Sequence, residues 1–229
     1  MNIAAFLEQI TLDNLESALK WRIIDRFFSK FQQSKLKNTD FSIIGNNCFV
    51  GGIYHKFGLP YTTPTIWTYI YPEDYLRFLG NLAWYLTQPL KFKKETNHIM
   101  AHRYCRLVKR NYPIGVLGED VEVHFMHYHT EEEALDKWNK RIQRVNLNNL
   151  FIVFSDGAEF REGMVERYEN LPFEYKIFFS SKPRRNSCTV FIKDYADVTH
   201  VYDSTFNRKY EKYLDLVKWL NKNDDYLIS

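Results

Sequence analysis

Apolar residues recur at helical spacing from Ala4 to about Phe31: first Ala4, Phe6, Leu7 and Ile10, then Leu15, Leu19, Ile23, Ile24 and Phe27. Steps of three and four residues put them on one face, so the stretch predicts one or two helices. Trp21, Arg22, Arg26 and Lys30 fall on the more exposed side. Gln32 to Asp40 is polar and reads as a loop. Phe41 to Ile44 is a short apolar run stopped by Gly45, which predicts a strand. A helix follows from Cys48 or Phe49 to about Phe57. It closes at Gly58, because glycine accepts the left-handed backbone that ends many helices. Leu59 to Pro64 is a Pro/Thr loop, and Thr65 to Ile70 reads as a strand or an extended segment. Pro72 then opens the strongly amphipathic "PEDYLRFLGNLAWYLTQ". Proline suits a first helical turn, where Glu73 and Asp74 also complement the helix dipole.

Residues 88 to 112 are polar and basic. Beyond them, "YPIGVLGEDVEVHFMHY" predicts a turn followed by a strand over Val121–Tyr128. Thr130 and the three glutamates after it form a capping-box pattern, so a helix should run to about Arg144. "NLFIVFSD" predicts a buried strand ending at Asp156, and Gly163 to Asn170 a short helix. "YKIFFSS" and "CTVFIKDY" are further strands, and Tyr210 to Leu220 a closing helix. Strands that alternate with helices predict an α/β fold: three layers, a central mainly parallel or mixed sheet, and helices on both faces. No repeat or clear linker interrupts the chain. Residues 1–229 therefore read as a single domain, with 1–37 as an N-terminal helical segment and 80–115 as an excursion from the core.

The chain of 229 residues is long enough for a sizeable core. Its net charge of +3 is too small and too scattered to predict a nucleic-acid partner. Three cysteines, Cys48, Cys105 and Cys188, lie far apart with no paired spacing, which suits a reducing compartment better than a disulfide framework. Glu8, Asp13 and Glu16 interrupt the N-terminal stretch, so it does not read as a secretory signal. No window approaches the roughly eighteen apolar residues of a membrane span. The expected address is cytoplasmic, with peripheral contact to a membrane surface left open. Aromatic residues make up 17% of the chain, which suits a thick core, an interface or a sugar-binding groove.

The chemistry is sought first at "GNNCFVGG", Gly45 to Gly52. A turn from strand to helix in an α/β sheet lies at the carboxyl end, where ligands bind. The first amides of the helix have no partner inside it. They stabilise a thiolate at Cys48 or hold an anionic group. Asn46 and Asn47 could donate side-chain amides to a developing oxyanion. Gly51 and Gly52 leave room for a close approach, and Tyr54 and Thr65 join them in the expected substrate-binding set.

A cysteine nucleophile needs a base. His127, near the end of its predicted strand, is the candidate, with Tyr128 beside it and Asp156 to orient the imidazole. The plain alternative is a buried, inert Cys48 behind ordinary capping asparagines. His124, His127 and His129 suggest a metal, but on a strand His124 faces away from the other two. No metal and no cofactor is therefore expected. "DVTHVYD", Asp197 to Asp203, carries an Asp-x-x-His pattern like that of small serine esterases, without their Gly-Asp-Ser block. Lys137, Arg141 and Arg144 form one basic helical stripe, read either as a solvated face or as a phosphate clamp. The basic loop "SSKPRRNS" allows the same two readings.

Several of these segments together resemble one family. "IIGNNCFVGGIYHKFGLPYTTPT", "PEDYLRFLGNLAWYL", "YPIGVLGEDVEVHFMHY" and "EEALDKWNKRIQRVNLNNLFIVFSD" are similar, in order, to the bacterial domain-of-unknown-function 1919 family. The matching positions are Asn46, Asn47, Cys48, Gly51 and Gly52, then Pro60, Pro64 and Thr65, then His127 and Tyr128, then Trp138, Arg141 and Arg144. One departure is Phe49-Val50 between Cys48 and the glycines, where the family pattern has a tryptophan alone. Members are often labelled exopolysaccharide or capsule biosynthesis proteins. The resemblance thus implies a pathway and a carbohydrate, activated-sugar or lipid-linked-sugar substrate, but no reaction and no oligomeric state. The residues add the reaction: an acyl-type transfer through Cys48 and His127, or glycosyl transfer with Arg141 and Arg144 on phosphate. A non-catalytic glycan- or partner-binding protein is the third class. Trp138 should be buried, with both arginines turned toward the Cys48 cleft.

Overall fold

The structure is a computed structural model that describes residues 25–109, 111–201 and 208–228. The first part of the expected N-terminal helical segment, residues 1–24, lies outside them. The chain enters on α1 (Asp25–Lys35) and continues as β1 (Ser42–Gly45), α2 (Phe49–Phe57), α3 (Pro72–Gly80), α4 (Leu82–Thr87) and β2 (Lys91–Lys93). Next come α5 (Ile99–Val108), β3 (Ile114–Leu117), β4 (Val121–His124), α6 (Glu131–Ile142) and β5 (Leu150–Ser155). The last elements are α7 (Met164–Glu169), β6 (Tyr175–Ser180), β7 (Thr189–Phe191) and α8 (Leu216–Leu220).

Strands β1, β5, β6 and β7 pair in that order into one sheet, every pair parallel. A second sheet, β2-β3-β4, is antiparallel. The fold is α/β, as the alternation of elements predicts. Side chains alternate across each parallel strand. Ile44, Ile152, Phe154 and Phe178 join one core with α3, α6, α7 and the second sheet. Ile43, Phe151, Val153, Ile177 and Phe179 join another with α2 and α8. Both faces of the parallel sheet are therefore covered, which its continuous apolar runs require.

Local signals held where their chemistry is self-contained. Thr130 caps α6 by accepting from the Glu133 amide at 3.1 Å, and the Glu133 carboxylate accepts from the His129 amide at 3.1 Å. That is a variant of the capping box, whose return bond goes to the residue before the cap and not to Thr130 itself. Gly58 ends α2 at φ +60°, in the left-handed region.

Other boundaries move. The helix read from Pro72 to Gln88 breaks at Asn81 (φ −144°, ψ 48°), where Gly80 and Asn81 combine low helix propensity. The strand read over Val121–Tyr128 ends at His124. There Tyr69 exchanges both backbone hydrogen bonds with His124, at 2.8 and 2.9 Å, and the chain turns so that the Tyr128 amide reaches the Phe125 carbonyl. This strand also belongs to the antiparallel sheet, through the hairpin Leu117↔Val121, and not to the parallel one. Of the extended segment Thr65–Ile70, only the Tyr69 bridge pairs. The closing helix shortens to α8, capped by Asp215. Residues 80–115 supply α4, β2 and α5.

Two buried tyrosines strap the parallel sheet from one side. The Tyr75 hydroxyl faces the carbonyls of Ile44 (3.0 Å) and Val153 (2.9 Å), spanning β1 and β5. The Tyr168 hydroxyl does the same across β5 and β6, at Ile152 (3.0 Å) and Ile177 (2.9 Å). Burial raises both phenol pKa values, so each remains a neutral donor. Tyr168→Phe removes only that donor. It should cost about 1–2 kcal/mol in urea unfolding, with the fold retained by circular dichroism; a cost indistinguishable from zero would show that the strap contributes nothing.

Candidate functional site

The carboxyl ends of the parallel strands gather the polar residues. Past β1, Asn46 is fully buried and its side-chain oxygen accepts from the Ser155 amide at 3.2 Å. Its own carbonyl accepts from the Ile70 amide at 2.9 Å. Asn46 thus joins the ends of β1 and β5 and pins the segment beyond, and it is not aimed at a ligand. Asn47 donates to the Ser155 hydroxyl at 2.7 Å and accepts from the Phe49 amide at 3.0 Å, which caps the helix. Cys48 is the N-cap residue of α2, with its sulfur 4.0 Å from the Thr68 carbonyl oxygen.

Cys48 borders a cavity of about 350 Å³. Asn47, Ser155, His127 and His200 supply its polar lining, and Tyr69, Tyr71 and Tyr104 much of the rest. The structure therefore brings Cys48 and His127 to one cavity, although His127 arrives on the turn after β4 from the second sheet. Its ring packs edge-on against Trp67, 5.6 Å between centroids. Trp67 holds φ +60°, strained for a residue with a Cβ. It lies so close to Gly51 that a Cβ there would sit 2.8 Å from the indole. Gly51 thus makes room for Trp67, which backs His127.

Asp156 follows β5 and is buried. One carboxylate oxygen accepts from the Val201 amide at 2.6 Å; the other accepts from the Ser181 amide at 2.7 Å and the Ser181 hydroxyl at 2.9 Å. Burial raises its pKa, and those amides pull the other way. By fastening Val201, Asp156 fixes the loop that carries His200 into the cavity. Burial lowers the His200 pKa, opposed by the charge of Asp156. His200 is the residue that sequence reasoning passed over. The Asp-x-x-His pattern around it was visible, but only the fold shows that its loop returns to Cys48.

A second recess of about 310 Å³ adjoins the first and shares Met100, Gly157, Ala158 and His200 with it. Lys182 and Arg184, from the basic loop, line this recess with Glu159 and Glu162. Arg184 pairs with Glu162, donates to the Ser180 hydroxyl at 2.9 Å and lies over the Phe160 ring.

The remaining expected residues lie elsewhere. Tyr54 is buried under β1, where its hydroxyl accepts from the Ile43 amide at 3.0 Å and meets Thr62; burial raises its pKa to about 12. Thr65 faces the Gly45 amide at 3.4 Å, and Gly52 is buried inside α2. Trp138 is buried, as its helical position predicts. Arg141 is buried too, but it donates to the Tyr128 hydroxyl at 2.5 Å and lies over the Tyr61 ring. Tyr128 in turn donates to the Ile66 carbonyl at 2.6 Å. Arg144 is exposed. Neither arginine borders the Cys48 cavity.

The family model described as Domain of unknown function (DUF1919) matches residues 20–221. A protein of Haemophilus influenzae, described as an uncharacterized protein, is 36% identical over 214 residues, which span 90% of this chain and 96% of that one. Among the described residues, no helix is long and apolar enough to cross a membrane.

The two arginines should separate on substitution. Arg141→Gln removes the charged donor to the buried Tyr128 oxygen, which keeps only its bond to the Ile66 carbonyl, and should destabilise the fold by about 1–3 kcal/mol. Arg144→Gln, on an exposed face, should stay within about 0.5 kcal/mol of the parent. Thermal melts of the two single variants check both; equal melts would remove the structural role given to Arg141.

Proposed function

The chain belongs to the DUF1919 family, and from that premise we propose that it is a thiol-dependent acyl-type transferase that acts in the cytoplasm on bacterial surface polysaccharide or its precursors. The observation that carries the reaction type is the shared cavity: Cys48 at a helix N-terminus with the imidazoles of His127 and His200 on the same lining. The pathway rests on the family resemblance, and the three tyrosines along the cavity suit a pyranose ring, whose apolar face packs on aromatic side chains.

In this reading His127 takes the Cys48 proton, and the sulfur attacks the carbonyl carbon of an activated acyl donor. Negative charge develops on the carbonyl oxygen and is stabilised by the first turn of α2 and the Asn47 amide. As the tetrahedral intermediate collapses, the leaving group departs with the proton from His127, leaving an acyl group on Cys48. A sugar hydroxyl then gives its proton to the imidazole and attacks the thioester, which restores the thiol. Asp156 acts as a positioning residue through the His200 loop. A second reading is glycosyl transfer from a nucleotide sugar or lipid-linked diphosphate. Arg141 does not support it, because its guanidinium is already engaged with Tyr128, and Arg184 in the adjoining recess is likewise engaged with Glu162 and Ser180; Lys182 beside it is what supports this reading.

The test is trapping. Incubation with an activated short-chain acyl thioester should add one acyl mass, mapped by peptide to Cys48. Cys188, buried with its thiol pushed up to about 11, should remain unmodified near neutral pH. Cys48→Ala should lose the adduct, and His127→Gln should slow its formation by about a hundredfold or more with the melting temperature little changed. Failure of Cys48 to acylate, together with alkylation no faster than at Cys105, would overturn the transferase reading and leave a binding protein.

A further inference from the structure

Behind Tyr71, on the side away from Cys48, lies a polar cluster that the transfer chemistry does not use. Its members come from three elements: Asp74 in the first turn of α3, His98 at the start of α5, and Glu122 and His124 on β4. All are buried. The ligating atoms of His98, Glu122 and His124 lie within 4.8 Å of one another. Asp74 Oδ2 is 3.1 Å from His98 Nε2, and Glu122 Oε2 is 3.4 Å from His124 Nε2. Tetrahedral zinc with bonds near 2.0–2.1 Å sets its ligand atoms about 3.3 Å apart, so His98, Glu122 and His124 would close by small side-chain shifts, while Asp74, outside that set and reaching His98, would have to move in as the fourth.

The outer bonds of the cluster point the same way. Each imidazole turns its Nδ1 outward: His98 to Glu159 at 2.8 Å, and His124 to the Tyr112 hydroxyl at 3.1 Å. Both Nε2 atoms therefore converge. Metal-binding histidines characteristically hold their second nitrogen on a carboxylate or another polar group, which fixes the tautomer. The carboxylates divide likewise. Arg77 takes Asp74 Oδ1, and Lys93 takes Glu122 Oε1; on the imidazole side Asp74 Oδ2 also accepts from the Glu122 amide at 2.8 Å and Glu122 Oε2 from the Thr96 hydroxyl at 2.6 Å, each keeping a second lone pair. His124 Nε2 is a fully buried atom whose neighbour Glu122 Oε2, at 3.4 Å, does not complete a well-formed hydrogen bond. A buried polar atom so placed carries a desolvation cost unless something meets it.

We propose that His98 Nε2, His124 Nε2, Glu122 Oε2 and Asp74 Oδ2 bind a structural zinc ion. Two imidazoles with two carboxylates suit zinc better than calcium or magnesium, which prefer all-oxygen shells. Four protein ligands leave no open position, as in closed structural sites. The ion clips α3, α5 and β4 together. It also backs the cavity, because the Tyr71 ring stacks on His98 at 4.0 Å. The sequence pattern argued against a metal because it compared His124 with His127 and His129. The partners of His124 lie at positions 74, 98 and 122, from elements that only the fold brings together. This proposal is independent of the reaction assigned to Cys48.

The experiment measures metal in the whole protein, expressed with added zinc and purified without metal-affinity resin. About one zinc per chain is expected by elemental analysis. Stripping with chelator should lower the melting temperature. Returning zinc at a hundredfold excess over its dissociation constant should raise it by about 5–10 °C. Cobalt in place of zinc should give the visible bands of a tetrahedral site. His98→Gln combined with His124→Gln should lose metal, zinc response and cobalt bands together; if that variant does not fold, the stripped and refilled parent decides alone. Zinc below about a tenth of an equivalent, with no thermal response to zinc, would overturn the site and leave a hydrogen-bonded network around His98.

Discussion

The joining of β1 to β5 at their carboxyl ends is the constraint on which the rest depends. The Asn46 carboxamide, fully buried, accepts from Ser155, and Tyr75 bridges the same two strands two residues earlier. Parallel strands pair without any local turn to set their register, so side-chain links of this kind fix it. With β1 and β5 held, Asn47 is placed to cap α2, and Cys48 must sit at the start of that helix. Asp156 leaves β5 at the same edge and draws in the loop of His200. A buried amide left without these bonds would cost more than the bonds themselves contribute, which makes the link strict.

The second sheet does different work. It covers one face of the parallel sheet and sends two chain segments back toward the cavity: Tyr69, which pairs with His124, and the turn of His127. Much of the aromatic richness is located by this arrangement. Phe125 packs edge-on to both Trp138 and Tyr128, and Tyr71 stands between the cavity and His98. The aromatic side chains therefore build the partition between elements as well as the lining that a ligand would meet.

Legibility followed sequence distance. β1, β5 and β6, the capping box of α6 and the buried Trp138 all rest on contacts or periods within one element, and each was readable. Cys48 at the turn after β1 was readable for the same reason. His127 was placed by assuming a long strand in the parallel sheet; it reaches the cavity instead on a turn from the other sheet. Arg141 had the right spacing for a stripe, but periodicity does not say what a stripe touches, and Tyr128 takes the guanidinium. Helix α5 was missed because residues 88–112 present scattered polar and basic residues, and its exposed Ile99, Leu107 and Val108 blur the amphipathic pattern.

Trp67 has a further consequence for how this protein can vary. Its backbone is strained, its indole fills the space left by the missing side chain of Gly51, and the His127 ring leans on its other side. The three positions form a steric lock whose parts lie far apart in sequence. A larger residue at 51 is tolerable only after 67 has become smaller, and a smaller 67 removes the backing of the imidazole. Substitution here is thus restricted in both orders: a larger residue at 51 taken first meets the indole, and a smaller residue at 67 taken first passes through a state whose histidine has lost its backing.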